Sequence, residues 1–246
     1  MANYDNRLAA GGAVAAVDEG LRSYMLRVYN YMLIGLGLTG AVAWLTANTA
    51  LYSVFFSQVQ TANGVAMQPN ILGWIAMFAP IGLVLLFSFG MQRLSFAAAQ
   101  GVFWLYAALM GISLSTILFA YTGASIALTF FVTAGTFGAM SLWGYTTKRD
   151  LTGFGSFLFM GLIGLILASL ANMFFASGPL QFAISVIGVL IFTGLTAYDS
   201  QSIKNMYFAG DDGETAGKKA FMGALRLYLD FINLFIFLLR FMGNRR

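Results

Sequence analysis

Two aspartates stand where water should be scarce. Asp230 lies in the middle of an apolar stretch, residues 220–241, and Asp199 closes the preceding apolar run, residues 182–198. A carboxylate at bilayer depth costs roughly 2.5 kcal/mol or more unless it is paired, protonated or hydrated, so intramembrane acids mark function by default. The chain has only nine acids, and two of them at depth need an explanation. Two carboxylates within hydrogen-bond reach cannot both ionise cheaply; they share a proton and titrate in two macroscopic steps. Such a pair holds two helices together while it keeps the proton and drives them apart once it loses it. With no histidine in the chain, Asp199 and Asp230 are the natural sensors near neutral pH. A hard cation, which takes oxygen ligands, would find a transient two-carboxylate site there.

The same residues also admit a static reading. Arg226 lies four residues before Asp230 on one helix face, where it would neutralise the acid as a packing ion pair. Asn233 continues that face as an interhelical hydrogen-bond donor. Asp199, as the last residue of a helix facing the cytoplasm, would then simply be solvated.

The elements that must position these groups follow from composition. Of 246 residues, 59% are hydrophobic and 9% charged, against about 25% charged in a soluble domain. That is too little charge to cover a surface in water, so the chain is an all-α polytopic membrane protein. The absence of histidine and cysteine removes Ser-His-Asp and Cys-His catalysis, the usual zinc sites, haem ligation by these residues, and disulfides. No cleavable signal peptide is visible, because Asp5, Arg7, Asp18, Glu19, Arg22 and Arg27 interrupt the first 27 residues. No basic stripe interleaved with aromatics points to nucleic acid. Glycines inside apolar runs, as in Ile34-Gly35-Leu36-Gly37, read as close helix packing.

A spanning helix needs about 20 apolar residues, and seven segments qualify: residues 28–47, 71–90, 97–120, 124–146, 154–176, 180–198 and 220–241. Pro80 falls inside the second and is expected to kink it. The loop 48–70 carries an aromatic stretch, residues 51–56, expected at the membrane interface. The whole reads as a flexible cytoplasmic tail, residues 1–20, followed by one seven-helix transmembrane domain, residues 21–246. Lys and Arg mark the cytoplasmic side of short loops. Arg7, Arg22 and Arg27 precede the first span, Arg93 follows the second, Lys148 and Arg149 follow the fourth, and Lys204, Lys218 and Lys219 lie between the last two. The N-terminus is therefore expected in the cytoplasm. Seven full spans leave Arg245 and Arg246 outside, against the rule; a re-entrant last segment would bring them in. The early loops weigh more, so seven full spans are the expectation.

Three strings then stand out: Gly144-Tyr145-Thr146-Thr147-Lys148-Arg149-Asp150-Leu151, Tyr198-Asp199-Ser200-Gln201-Ser202-Ile203-Lys204, and Tyr228-Leu229-Asp230-Phe231-Ile232-Asn233-Leu234-Phe235. Together they resemble the transmembrane Bax inhibitor motif family, over about residues 20–242. The resemblance implies a seven-helix fold with the C-terminal helix surrounded by the other six. It implies a pH-sensitive calcium leak whose sensor is the aspartate pair at Asp199 and Asp230, with Tyr198, Gln201 and Asn233 as supporting motif residues. The short tail and the lack of an appended domain are those of a bacterial member, which implies the inner membrane. Some bacterial relatives carry an acid and an arginine in the second helix; here that span has neither, and Arg93 at its end is the remaining partner for Asp199, alongside Arg226. Asp150 is expected to cap the turn into the fifth span.

The leading expectation is thus a pH-regulated leak for calcium or a similar cation, with no resident cofactor. The alternative is an interaction protein that modulates a membrane-anchored protease through its N-terminal tail, its aspartates structural. An intramembrane aspartyl protease is disfavoured: Tyr198-Asp199 fits one of its motifs, but Leu227-Tyr228-Leu229-Asp230 fails the Gly-x-Gly-Asp pattern of the other. The chain is therefore not expected to be an enzyme.

Overall fold

The computed structural model describes residues 2–61, 64–90 and 94–246, with side chains for 19–60, 68–86 and 94–246. Helix α1 (Ala2–Asn48) is followed by a short α2 (Leu51–Phe55) and two strands, β1 (Phe56–Thr61) and β2 (Gly64–Pro69). Then come α3 (Ile71–Gly90), α4 (Phe96–Ala120), α5 (Gly123–Thr146), α6 (Thr152–Phe175), α7 (Gly178–Asn205) and α8 (Gly213–Met242). Local sequence sets the sharp starts. Ser95, Thr122, Ser177 and Asp212 each accept the amide three residues on, capping α4, α5, α7 and α8, the pattern that satisfies an otherwise orphaned helix N–H.

Among the described residues, six helices are long and apolar enough to cross a membrane: residues Glu19–Asn48 of α1, and all of α4, α5, α6, α7 and α8. Helix α3 is apolar over its shorter described part, Ile71–Leu86, and contains Pro80. The outward surface carries Leu33, Trp44, Phe131, Phe157, Met160 and Met173, all exposed. So broad an apolar surface is incompatible with water and is what lipid requires. The chain is a helical membrane protein.

Helix α8 packs against α1, α4, α5 and α7. Along it Gly223, Ala224 and Leu225, then Asp230, Phe231 and Ile232, are buried in succession, which covers most of its circumference. Its 30 residues extend about 45 Å. At its end, Thr122 N–H donates to the Asn244 carbonyl (3.1 Å) and Arg246 N–H to the Ala120 carbonyl (3.1 Å). The tail is therefore fastened to the α4–α5 turn, at the opposite end of the bundle from the α5–α6 and α7–α8 turns. Helix α8 thus runs from one end of the bundle to the other as a single helix and does not fold back as the re-entrant alternative would have it.

The region expected to be an interfacial aromatic loop is more structured than the sequence suggests. After α2, β1 and β2 pair antiparallel from Phe56↔Pro69 to Thr61↔Gly64. Tyr52 stacks on Phe56 at 4.5 Å and tilts against Phe119 at 4.7 Å, which ties the hairpin to the end of α4.

Candidate functional site

Helix α7 does not stop at Asp199. It continues for more than another turn to Asn205, and Asp199 is only 6% exposed, so the solvated-end reading is wrong. The polar run Ser200–Asn205 remains helical because its side chains find partners. Gln201 accepts the Leu151 amide (2.9 Å) and donates to the Arg149 carbonyl (2.7 Å). Lys204 donates to the Tyr145 carbonyl (2.9 Å) and lies over the Tyr145 ring. Two motif residues thus fasten the α5–α6 turn onto α7. In that turn Asp150 accepts both the Thr152 amide (2.9 Å) and the Thr152 hydroxyl (2.6 Å); it braces the turn from outside the helix, whose N-cap is Leu151. These bonds favour the charged carboxylate and hold Asp150 below its ordinary pKa.

Two glycines seat α7. A Cβ at Gly144 would collide with the backbone of Ala197, and one at Gly155 with the ring of Tyr198. Tyr198 thereby lies flat against α6, edge-on to Phe159. On α8, Asp230 is 4% exposed. The carboxyl groups of Asp199 and Asp230 lie close to each other, with the Arg226 guanidinium near both. One buried oxygen of each, Asp199 Oδ1 and Asp230 Oδ2, has no donor from the described residues.

The static ion pair expected between Arg226 and Asp230 does not form. The ion pairs among the described residues are Lys218–Glu214 and Lys219–Asp211. Arg226 instead reaches the Ser202 hydroxyl at a long 3.5 Å. Among the described residues Asn233 makes no interhelical bond; its amide returns to the Leu229 carbonyl of its own helix (2.8 Å). Arg93, the other expected charge partner, lies outside the described residues.

Two hydrogen-bond chains flank the acids; Ser200 and Tyr228 stand within the motif strings, while Tyr29, Thr39 and Ser141 are not among the residues singled out from sequence. Tyr29 Oη, Ser141 Oγ and Ser200 Oγ link α1, α5 and α7 at 2.6 and 2.8 Å. Thr39 Oγ1 meets Tyr228 Oη at 2.6 Å and donates toward the Ala107 carbonyl, joining α1, α8 and α4. Such bonds across helices stabilise packing where the hydrophobic effect is weak. The only sequence signal is an isolated hydroxyl within an apolar run.

Asp199, Arg226, Asp230 and Asn233 open on one cavity of about 1460 Å³ between α3, α4, α6, α7 and α8. No group of three or more Asp, Glu, His or Cys residues able to hold a metal occurs among the described residues. Two carboxyl groups can hand a hard cation on, but they make a poor resident site.

This architecture has relatives. The family model described as "Inhibitor of apoptosis-promoting Bax1" matches residues 21–246. The chain is 49% identical to protein RP147 of Rickettsia prowazekii over 247 aligned positions, spanning all of both chains. It is 48% identical over 243 residues to the inner membrane protein YbhL of Escherichia coli K12, covering 98% of this chain and 100% of that one. It is 40% identical over 230 residues to the membrane protein SpyM3_0260 of Streptococcus pyogenes, 92% of this chain and 95% of the other. With a family match over nearly its whole length and relatives that align end to end, the chain belongs to the Bax inhibitor-1 family of membrane proteins.

Proposed function

We propose that the protein is a pH-regulated leak for calcium or a similar cation across a bacterial inner membrane, gated by Asp199 and Asp230. The observation that carries the reading is that two buried carboxyl groups on adjacent helices lie close together, have no ion-pair partner among the described residues, and open on a single large cavity. While the pair holds one proton, a hydrogen bond ties α7 to α8. When the proton leaves, two like charges in a weakly screened site repel, and the helices loosen beside the cavity. Arg226 faces both acids and offsets part of that repulsion; Arg93 is proposed to do the same for Asp199 from the end of α3. In this reading α3 is a seventh span, α8 is the central helix, and the N-terminus is cytoplasmic. Calcium is cargo, and no catalytic step or resident cofactor is involved.

The likeness to a protein named for the inner membrane supports the location. The protease-modulating alternative rests on the N-terminal tail, most of whose side chains lie outside the described residues. The test is calcium entry into proteoliposomes containing a calcium-sensitive dye, across the near-neutral pH range. Entry should exceed that of protein-free vesicles and rise with pH. Entry equal to that of empty vesicles at every pH would remove the leak, and a flat profile would remove the gate.

A further inference from the structure

The cavity that reaches the aspartates has a second end. Its lining runs along one face of α8 through Arg226, Asp230, Asn233, Phe237 and Arg240, spaced three or four residues apart, and on to Arg245. This end is opposite Lys204, Lys218 and Lys219, and no Asp or Glu side chain lies at it. The nine acids are at positions 5, 18, 19, 150, 199, 211, 212, 214 and 230; even Asp230 is about 15 Å along the helix from Arg240.

Both arginines are placed rather than free. Arg240 lies over the Phe237 ring and Arg245 over the Tyr121 ring, each at 5.8 Å. Arg245 also forms a β-bridge with Tyr121, while its neighbour Asn244 donates its amide to the Ser125 hydroxyl (2.8 Å). Neither has a carboxylate within ion-pair distance among the described residues. Two placed guanidinium groups lining one cavity, with no Asp or Glu side chain beside them, suit a phosphate.

The walls leading to them are apolar and open sideways. Helix α3 rests on α4 and α6 on α7, and α3 and α6 do not form a closely packed pair. Ile81 on α3 is 59% exposed, and Ile166 and Met173 on α6 are 52% and 78% exposed, so the cavity is a cleft that lipid can enter. Its volume, about 1460 Å³, exceeds the roughly 300–1,000 Å³ of sites for drug-sized ligands.

We infer that this cleft binds a phospholipid with a net-negative headgroup, its phosphate held by Arg240 and Arg245 and an acyl chain lying between α3 and α6. An anion to hold is also a physical reason for cations at the end of the bundle where the charge rule disfavours them.

Lipid-stripped protein in mild detergent is titrated with phosphatidylglycerol, phosphatidylcholine and free oleate, and bound lipid is counted by native mass spectrometry. Phosphatidylglycerol should bind up to about thirtyfold more tightly than phosphatidylcholine, the ratio two cations near a membrane surface can supply. The double variant Arg240→Gln/Arg245→Gln should bring the two to near parity. Ser169→Phe, which fills the apolar section, should weaken both phospholipids while keeping their ratio; if it does not fold, the charge variants decide. Equal affinity for the two phospholipids in wild type, or a preference untouched by the double variant, would overturn the inference. Oleate binding as tight as phosphatidylglycerol would overturn the phospholipid assignment.

Discussion

Replacing Gly144 with alanine tests whether the close approach of α5 and α7 positions the site. A Cβ there would stand within 2.8 Å of the Ala197 carbonyl carbon and Cα, and closer still to the carbonyl oxygen, two residues before Asp199. The obstacle is backbone, which cannot rotate aside as a side chain can, so the helices must part. Overpacking typically destabilises by about 1–3 kcal/mol, and an immovable neighbour places this change in the upper part of that range. Parting the helices also strains the Ser141–Ser200 hydrogen bond, worth about 0.6 kcal/mol on average for membrane helices. The expected loss is about 3 kcal/mol. Gly138, on the same helix, is the control: a Cβ there meets nothing within 4 Å, so Gly138→Ala should be neutral or stabilise by up to about 1 kcal/mol. Thermal unfolding in one detergent, followed by tryptophan fluorescence, compares them. At roughly 2–4 °C per kcal/mol, the two variants should melt about 10 °C apart. Gly144→Ala melting with or above Gly138→Ala would refute the argument that this contact sets the helix spacing.

Other substitutions probe the neighbouring contacts. Gln201→Ala removes both bonds to the α5–α6 turn and should cost about 1–3 kcal/mol; faster hydrogen exchange at the Leu151 amide is the readout, and unchanged exchange would argue against the clamp. Tyr228→Phe deletes the hydroxyl bound to Thr39 and should destabilise by about 0.6–1.7 kcal/mol in the same unfolding assay, with no effect counting against the buried chain. Asp150 has its pKa held down first by the Thr152 hydroxyl and then by the Thr152 amide. Its bonds therefore add stability above the ordinary carboxylate pKa, and that contribution is lost as pH falls through the lowered one. Thr152→Val should move the Asp150 titration, read by carboxyl NMR, up toward its ordinary value; an unmoved titration would contradict the assignment.

What the residues disclosed and what they hid have physical reasons. The membrane class is legible because so little charge cannot clothe a soluble surface, and the acid pair is legible because acids at depth are costly. The extension of α7 past Asp199 was not, since Ser200–Asn205 looks like a solvated end until Gln201 and Lys204 are seen to bind a turn about fifty residues earlier in the chain. Arg226 and Asp230 share a helix face by spacing alone, but spacing does not say that the guanidinium points to Ser202. The β1–β2 hairpin hides in a loop whose short, partly polar strands carry little hydrophobic alternation. The Tyr29–Ser141–Ser200 chain depends on three helices meeting, and single hydroxyls in apolar runs give no periodic signal. A cavity is a property of how helices fail to touch, and no residue type announces it.

The most direct test of the proposed gate is the pH profile of calcium entry into matched proteoliposomes carrying wild type, Asp199→Asn or Asp230→Asn. Asparagine keeps the shape of a protonated aspartate but cannot titrate. Wild-type entry is predicted to rise with pH as the shared proton is lost, and both variants to give entry that scarcely changes with pH. Wild-type profiles retained by both variants, with correctly folded protein confirmed in the same vesicles, would contradict the account.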